Sequence, residues 1–316
     1  MNEINKVKEK IEAAKKILLL GHINPDGDTV GAGLSLLLGL EKKYPEKKIR
    51  FILQDKVPEN ISFLEGCEKI ERIEDSKDET YNLVIFVDSA TIDRVGSAQE
   101  LVKDAFKINI DHHISNSNYG DINIVKDISS TSELMYSILK ALEIEVTLDM
   151  AGAIYLGIVN DTGNFAHSNV TENTFKVAAN LMELGVNNNK IVNDFFKSKS
   201  FERMKVLGKA LSEMIFVKEK KLMYFYLPYE YLKENGIERD DTEGIVEELI
   251  NYSGSEASLF LRGEADGKIK GSLRSKHNID VNKIAGIFSG GGHIKAAGFT
   301  SELSADEIVK KVVENL

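Results

Sequence analysis

The sequence predicts an α/β chain: an N-terminal, mostly parallel sheet sandwiched by helices, a helical connector, and a smaller C-terminal α/β domain with a mixed sheet. Three observations carry this expectation. Short Ile/Val/Leu-rich runs alternate with helical patterns over the first half, the texture turns helical after Thr171, and strand-like runs return beyond Glu213.

Taken in order, Ile17 to Gly21, Ile49 to Gln54, Leu83 to Asp88 and Lys107 to Asp111 are short apolar runs bounded by polar turns, as strands buried on both faces are. Val30 to Lys43 reads as a helix between the first two. Ser130-Thr131-Ser132-Glu133 has the capping-box spacing ahead of Leu134, Tyr136, Ile138, Leu139 and Leu142, which predicts a helix start and accounts for Glu133. A further helix covers Asp149 to Asn160, where Ile154, Tyr155 and Ile158 recur at helical spacing. Phe175 to Leu184 and Ile191 to Leu211 continue the helical pattern, and Lys221 to Leu227, Ala257 to Arg262 and Lys268 to Leu273 read as strands ahead of Gly290 to Gly292. The expected domains are therefore 1–188, a helical linker 189–205, and 206–316.

A chain of 316 residues supports about two domains at roughly 150 residues each, each able to bury a core without staples. Cys67, the single cysteine, cannot form an internal bridge, and the N-terminus lacks the apolar stretch of a signal peptide; together these predict a cytoplasmic address. Gly31 to Leu40 is the most apolar stretch and far shorter than the roughly 20 residues a membrane span needs. A formal charge of −10 disfavours long nucleic acid, whose binding relies on many Lys/Arg contacts, but leaves room for short nucleotides at one site.

Gly21-His22-Ile23-Asn24-Pro25-Asp26-Gly27-Asp28 follows a strand and leads into a helix, which places His22, Asp26 and Asp28 where open α/β sheets bind ligands. Asn-Pro-Asp-Gly is also a turn signal and Asp28 a candidate N-cap for a helix from Thr29, so for this loop alone the two readings stand equal. Two more strands shift the balance. One ends in Asp88 and another in Asp111-His112-His113, and acids on apolar strand tips are costly unless paired or metal-bound. Asp161 ends an apolar helical run at a further turn. Four elements each ending in Asp, two of them carrying His, are poorly explained as independent caps. Mixed imidazole and carboxylate donors favour Mn, Fe, Zn or Co, and a dinuclear centre with a bridging carboxylate serves phosphoryl displacement.

These residues resemble the four motifs of the DHH phosphoesterase family, in order: His22-x-x-Pro25-Asp26-x-Asp28, the strand-terminal Asp88, Asp111-His112-His113, and Asp161. Gly271-Ser272-Leu273-Arg274-Ser275, followed by Gly290-Gly291-Gly292-His293-Ile294-Lys295-Ala296-Ala297-Gly298, is similar to the DHH-associated domain of the nanoRNase and pAp-phosphatase branch. The resemblance covers nearly the whole chain. It implies that 1–188 is the catalytic, metal-binding domain and 206–316 the substrate-binding one. One ion would be held by His22, Asp26 and Asp88, the other by Asp28, Asp88, His112 and Asp161, with Asp88 as bridge and Mn²⁺ as the expected metal. His113 would contact the scissile phosphate or protonate the leaving group, and Asp111 would orient a ligand His.

The activity so implied is Mn-dependent hydrolysis of short oligoribonucleotides or dinucleotides such as pApA to 5′-mononucleotides by a two-metal-activated hydroxide. Conversion of 3′-phosphoadenosine 5′-phosphate (pAp) to AMP would accompany it. A cyclic-dinucleotide phosphodiesterase, a DHH-type inorganic pyrophosphatase and a non-catalytic nucleotide sensor are the alternatives. Short RNA and mono- or dinucleotides are the expected partners, without long nucleic acid or membrane; the family admits a homodimer that no residue here demands.

In the second half, Gly290 to Gly292 are expected to run into a short helix at Ile294 to Ala297, so that bare N–H groups of Gly291 and Gly292, with His293, cradle a phosphate. Arg274, beside Ser272, would supply a fork for a terminal phosphate, or serve as a surface ion-pair residue. Lys276 and His277 are weaker candidates. Gly31-Ala32-Gly33 lies inside a helical pattern and lacks the third glycine of a dinucleotide fingerprint. His167 reads as structural, and Arg94 as reaching the site or lying on a helix surface.

Overall fold

The computed structural model describes residues 3–75, 79–102, 104–197 and 200–316. The chain divides after residue 198 into two compact units. In the first, α1 (Glu3–Ala13) leads into β1 (Lys16–Leu20), α2 (Gly27–Lys43), β2 (Lys48–Leu53), β3 (Ile70–Arg72), β4 (Leu83–Val87), β5 (Phe106–Asp111) and β6 (Ile122–Val125). Helices α3 (Thr131–Ala141), α4 (Leu148–Asp161), α5 (Glu172–Glu183) and α6 (Asn188–Phe196) complete it. The six strands form one sheet in the order β3-β2-β1-β4-β5-β6, every pair parallel. Chain order reverses between β1 and β4, so the carboxyl ends of these neighbours mark the switch point at which such sheets bind ligands.

Both faces of the sheet are covered, which is why its strands are continuously apolar. Ile17, Leu19, Ile85 and Ile108 pack under α2, α3 and α4 on one face, and Leu18, Leu20, Val84 and Phe86 face Val95 and Val102 on the other. The glycines of α2 belong to packing. A Cβ on Gly31 would lie 2.4 Å from the Ala153 carbonyl oxygen, and one on Gly157 would lie 1.9 Å from Ser132 Oγ, so small residues let α2, α3 and α4 approach closely.

Three local expectations are corrected. Asp26, not Asp28, caps α2: its Oδ1 accepts from the backbone N–H of Asp28 and Thr29, both at 3.0 Å, and the helix begins at Gly27. The helical run from Ile191 is broken: α6 ends at Phe196 and α7 (Phe201–Glu213) starts afresh on a Ser200 cap, 3.0 Å from the Arg203 N–H. Glu133 does not complete a capping box. Ser130 Oγ accepts from the Glu133 N–H at 3.0 Å, but the buried Glu133 carboxylate turns away to Ser129, Asn173 and Thr174.

The second unit continues from α7 through β7 (Ile215–Val217), β8 (Leu222–Leu227), α8 (Tyr229–Glu234), α9 (Ile245–Ile250), β9 (Ala257–Gly263), β10 (Ile269–Ser275), α10 (Val281–Gly286), β11 (Gly291–His293), β12 (Ala296–Ser301) and α11 (Ala305–Asn315). Its sheet runs β11-β12-β10-β9-β8-β7 and is mixed: β8 and β9 are parallel, joined by a crossover through α8 and α9, and the other pairs are antiparallel. One face packs on α10 and α11 through Leu259, Leu273, Ile284 and Ile308; the other holds Val206, Phe225, Leu249 and Phe260. The glycine cluster forms a hairpin, not the start of a helix. Gly291–His293 pairs with Ala296–Gly298, and Gly292, at φ +152°, takes a conformation closed to a side chain because a Cβ would lie 2.5 Å from the Ala296 oxygen. Among the described residues no helix is long and apolar enough to cross a membrane.

Candidate metal centre

Each of the four Asp-bearing elements ends at the carboxyl side of the first sheet. The loop after β1 is pinned by the Ile23 N–H donating to the Arg94 carbonyl at 2.7 Å and the Asn24 N–H donating to Asp55 Oδ2 at 2.7 Å. That carbonyl is what Arg94 brings to the site; its side chain is exposed. Asp88 follows β4 with φ +54°, a left-handed conformation that Asp tolerates better than most residues and that turns the chain at the strand end.

The side chains converge on Asp88, which is 2 % exposed. His22 Nε2 lies 3.4 Å from Asp88 Oδ2 and 3.7 Å from Asp26 Oδ1. His112 Nε2 lies 3.1 Å from Asp161 Oδ2, 3.7 Å from Asp88 Oδ1 and 3.9 Å from Asp28 Oδ2. Each imidazole turns its other nitrogen to a backbone carbonyl, His22 Nδ1 to Ile23 at 2.8 Å and His112 Nδ1 to Ile128 at 3.2 Å. A proton on Nδ1 satisfies that carbonyl and aims the Nε2 lone pair into the acidic cluster, the arrangement a metal-binding histidine needs.

Three overlapping trios have donor atoms within 4.8 Å of one another: His22, Asp26 and Asp88; Asp28, His112 and Asp161; and Asp88, His112 and His113. The first two contain all six side chains expected as ligands, and Asp88 lies within reach of both. His113, expected beside the metals and in contact with the phosphate, meets this cluster, its Nδ1 3.6 Å from Asp88 Oδ1. Two imidazole nitrogens among carboxylate oxygens form a donor set suited to Mn²⁺, Fe²⁺ or Zn²⁺.

Without a cation the acids press on one another. Burial first, then the charges of Asp161 and Asp88, raise Asp28 well above the usual carboxylate range. Asp161 is raised chiefly by burial. Burial works the same way on Asp88, but the hydrogen bond and charge of His22, with the charges of His112 and His113, overcome it and hold Asp88 below the usual range. Burial opposes charge on the histidines too, yet their carboxylate neighbours push both His22 and His112 up to about 10. The cluster thus carries positive charge on its imidazoles, a role that a divalent cation fills with more charge and no protons.

The expected orienting role of Asp111 is corrected in its partner. Asp111 Oδ1 accepts from His113 Nδ1 at 2.8 Å, not from His112, and its Oδ2 accepts from Asn116 Nδ2 at 2.6 Å. At an extended strand end, side chains two residues apart share a side, which pairs residue 111 with 113. The His113 ring is partly exposed, and among the described residues its Nε2 has no hydrogen-bond partner. His167 packs its Nδ1 3.2 Å from the Asp161 carbonyl and is exposed.

Sequence reasoning missed the hydroxyl and amide groups that hold the acids. Thr29 Oγ1 donates to Asp88 Oδ2 at 2.7 Å, and Thr131 Oγ1 donates to Asp88 Oδ1 at 3.0 Å. Asp28 receives the first free N–H groups of α3, Thr131 to Oδ2 at 2.7 Å and Ser132 to Oδ1 at 2.8 Å. The signal was the run Ser129 to Ser132, four hydroxyl residues that are all fully buried. Thr131→Val is expected to lower kcat by about 10–100-fold with an unchanged melting temperature, and Thr131→Ser to restore most of it, because only the hydroxyl on the shared carboxylate is removed. Parallel turnover and thermal melts check this.

In the second unit, register places Ser272 opposite Gly298 and Gly298 opposite Gly291, while Arg274 stands opposite Ala296 and Ala296 opposite His293. Directly paired residues share a sheet face, so Ser272, Arg274, Gly291 and His293 lie on one face and Gly292 on the other. Arg274 donates through Nε to Glu247 Oε1 at 3.0 Å, with its Nη2 2.7 Å from the same oxygen. Lys276 Nζ is tied to the Tyr252 carbonyl at 2.8 Å, and His277 Nδ1 lies 3.2 Å from Glu256.

Residues 16–158 match the DHH family, N-terminal domain, and residues 204–316 match the DHHA1 domain. The chain is 30% identical to the bifunctional oligoribonuclease and PAP phosphatase NrnA of Thermus thermophilus over 94% of its length and 88% of the relative's. It is 32% identical to the protein of that name from Bacillus subtilis, over 89% and 88%. Among solved structures, an exopolyphosphatase-related protein from Bacteroides fragilis superimposes with a TM-score of 0.92 at 26% identity, covering 99% of this chain and 96% of that one.

Proposed function

Because the chain belongs to the DHH family, we propose that it is a divalent-metal-dependent phosphoesterase that cuts short oligoribonucleotides to 5′-mononucleotides and removes the 3′-phosphate of pAp to give AMP. The enzyme class is that of a phosphodiesterase and phosphatase hydrolase. The observation that carries the reading is a pair of His/Asp trios, one containing Asp88 and the other reaching it through His112 at 3.7 Å, on the switch point of a parallel sheet. Two relatives named for these two activities, at 30% and 32% identity, support the substrate class.

In this reading His22, Asp26 and Asp88 hold one cation and Asp28, Asp88, His112 and Asp161 the other, with Mn²⁺ favoured by the mixed donors. Bound there, divalent cations supply an activated water and offset charge on the phosphoryl oxygens. The remaining steps fall to the chain's own groups. Asp28, seated on the N–H groups of α3, and Asp88, held by two threonine hydroxyls, keep the carboxylates fixed through turnover. His113 keeps its Nδ1 proton on Asp111 and presents Nε2 to the leaving oxygen. The hydrogen bond to Asp111 raises the His113 pKa above the ordinary histidine value, which favours the protonated ring that a proton donor needs. Residues 1–188 would perform the chemistry and residues 206–316 grip the nucleotide, through Arg274, Ser272, Gly291 and His293 on one sheet face, while Gly292, expected with them, lies on the other.

Incubation of the full chain and Mn²⁺ with pApA, pAp, a long RNA, cyclic di-AMP and pyrophosphate in parallel tests the proposal. AMP is expected from pApA and from pAp, with long RNA and pyrophosphate untouched. Pyrophosphate cleavage without AMP release from either nucleotide would sink it.

A further inference from the structure

The second unit holds a concavity of about 410 Å³ on the sheet face that carries Arg274 and Ser272, and its wall is cationic: Arg203, Arg239, Arg262, Lys270 and Arg274 all line it. Two of the five are neutralised. Arg262 donates through Nε and Nη2 to Glu264 Oε1, at 3.1 and 2.7 Å, and Arg274 is held by Glu247. Among the described residues, Arg203, Arg239 and Lys270 have no carboxylate oxygen within 4.0 Å. Glu243 is the remaining acid of the wall, one carboxylate set against these three cations.

Lys270 is the most exacting member. It stands opposite Arg262 on β9 and two residues from Ser272 on β10, half buried. Burial, then the charges of Arg239 and Arg262, hold its ammonium below the usual lysine range. A lysine kept among arginines, opposed by the charge of Glu264 but with no carboxylate oxygen within 4.0 Å among the described residues, is an arrangement that a bound anion relieves.

Resting on the phosphoesterase reading above, we infer that Lys270, Arg239 and Arg203 form a subsite for a phosphate of the oligoribonucleotide one or more residues away from the phosphate gripped at Arg274. Lys270 and Arg274 are four residues apart on one strand, roughly 13 Å between their Cα atoms, and both point to the same face. Such a row fits successive phosphates of a short chain. A mononucleotide held at Arg274 gains less from its far end, so the subsite would favour oligoribonucleotides over pAp.

Steady-state kinetics of the full chain with Mn²⁺, on pApApA and on pAp, test this with Lys270→Gln and Arg239→Gln. In each variant the ratio of kcat/KM for pApApA over pAp is expected to fall about tenfold, chiefly through KM for pApApA. The dependence of log KM on log[KCl] for pApApA should flatten by about 0.7 per cation removed. Lys270→Arg, which keeps the charge, should restore most of the ratio and show that loss of fold is not the cause. An unchanged ratio, or equal losses on both substrates, overturns the subsite. So does inorganic phosphate inhibiting both substrates alike in a Lys270-dependent manner, the pattern of a site for free phosphate. Wild-type chain that hydrolyses neither nucleotide overturns the phosphoesterase reading itself, and the subsite with it.

Discussion

Asp88→Ala is expected to lower kcat for pApA at least about a thousandfold, equivalent to roughly 4 kcal/mol of transition-state stabilisation. Among the described residues Asp88 is the one carboxylate within 4.0 Å of His22, His112 and His113 alike, each with a ring nitrogen 3.4–3.7 Å away. It also takes the hydroxyls of Thr29 and Thr131. Its loss therefore removes a donor from both proposed cation positions and strands two buried hydroxyls. Asp88→Asn keeps the shape and one of the two acceptor oxygens but not the charge, and a comparable fall is expected. Nucleotide release from pApA, followed chromatographically beside far-UV circular dichroism and a thermal melt, measures it. A folded Asp88→Asn protein with more than a tenth of wild-type turnover would refute the shared-carboxylate role.

Chelation is the second large effect. An ion present at 100 times its dissociation constant stabilises the fold by about 2.7 kcal/mol. For a unit of this size, that is about 5–10 °C of melting temperature. EDTA should lower the transition of the Mn²⁺-loaded protein by that amount. The pH dependence has a defined sign. In the metal-free protein His22 and His112 stay protonated up to about 10, so their ion pairs stabilise the fold below the ordinary histidine value of about 6.5 and are lost as pH rises through about 10. A cation needs the same Nε2 atoms unprotonated, so its uptake releases protons and its stabilisation grows with pH. The gain from MnCl₂ should thus be larger at pH 8.5 than at pH 6.5, read from melts with MnCl₂ or EDTA at each. A gain that shrinks with pH, or no gain at either, would remove the metal centre from these residues.

Much of this was legible because the chemistry sits on the punctuation of the fold. Leu83 to Val87 and Ile108 to Ile110 are strands on any reading, and an acid directly after such a run is conspicuous. The supporting groups were not legible. Thr131 and Ser132 look like ordinary capping residues, and only the fold brings their N–H groups to a carboxylate more than a hundred residues earlier. Glu133 was mistaken for half of a capping box because the spacing is right; tertiary partners at Asn173 and Thr174 outbid the local one. The hairpin at Gly291 was hidden for a different reason. Pairing between Gly291 and Gly298 depends on backbone approach, which leaves no side-chain periodicity to read. Likewise α6 ends at Phe196 and α7 starts on the Ser200 cap through local capping chemistry, while the apolar spacing runs on.

The contact between Asp28 and the start of α3 has a consequence for when the enzyme comes into being. It joins positions 103 and 104 residues apart, and the cluster also needs Asp88, His112 and Asp161. Long-range closures of this kind are slow and cooperative, since chain entropy is lost before the contact rewards it. A chain emerging from synthesis therefore completes the cluster late: Asp28 has no seat until the start of α3 has docked, and Asp161 meets His112 only when α4 is in place. On the proposed function, hydrolytic competence would therefore arrive with the native state of the first unit rather than ahead of it.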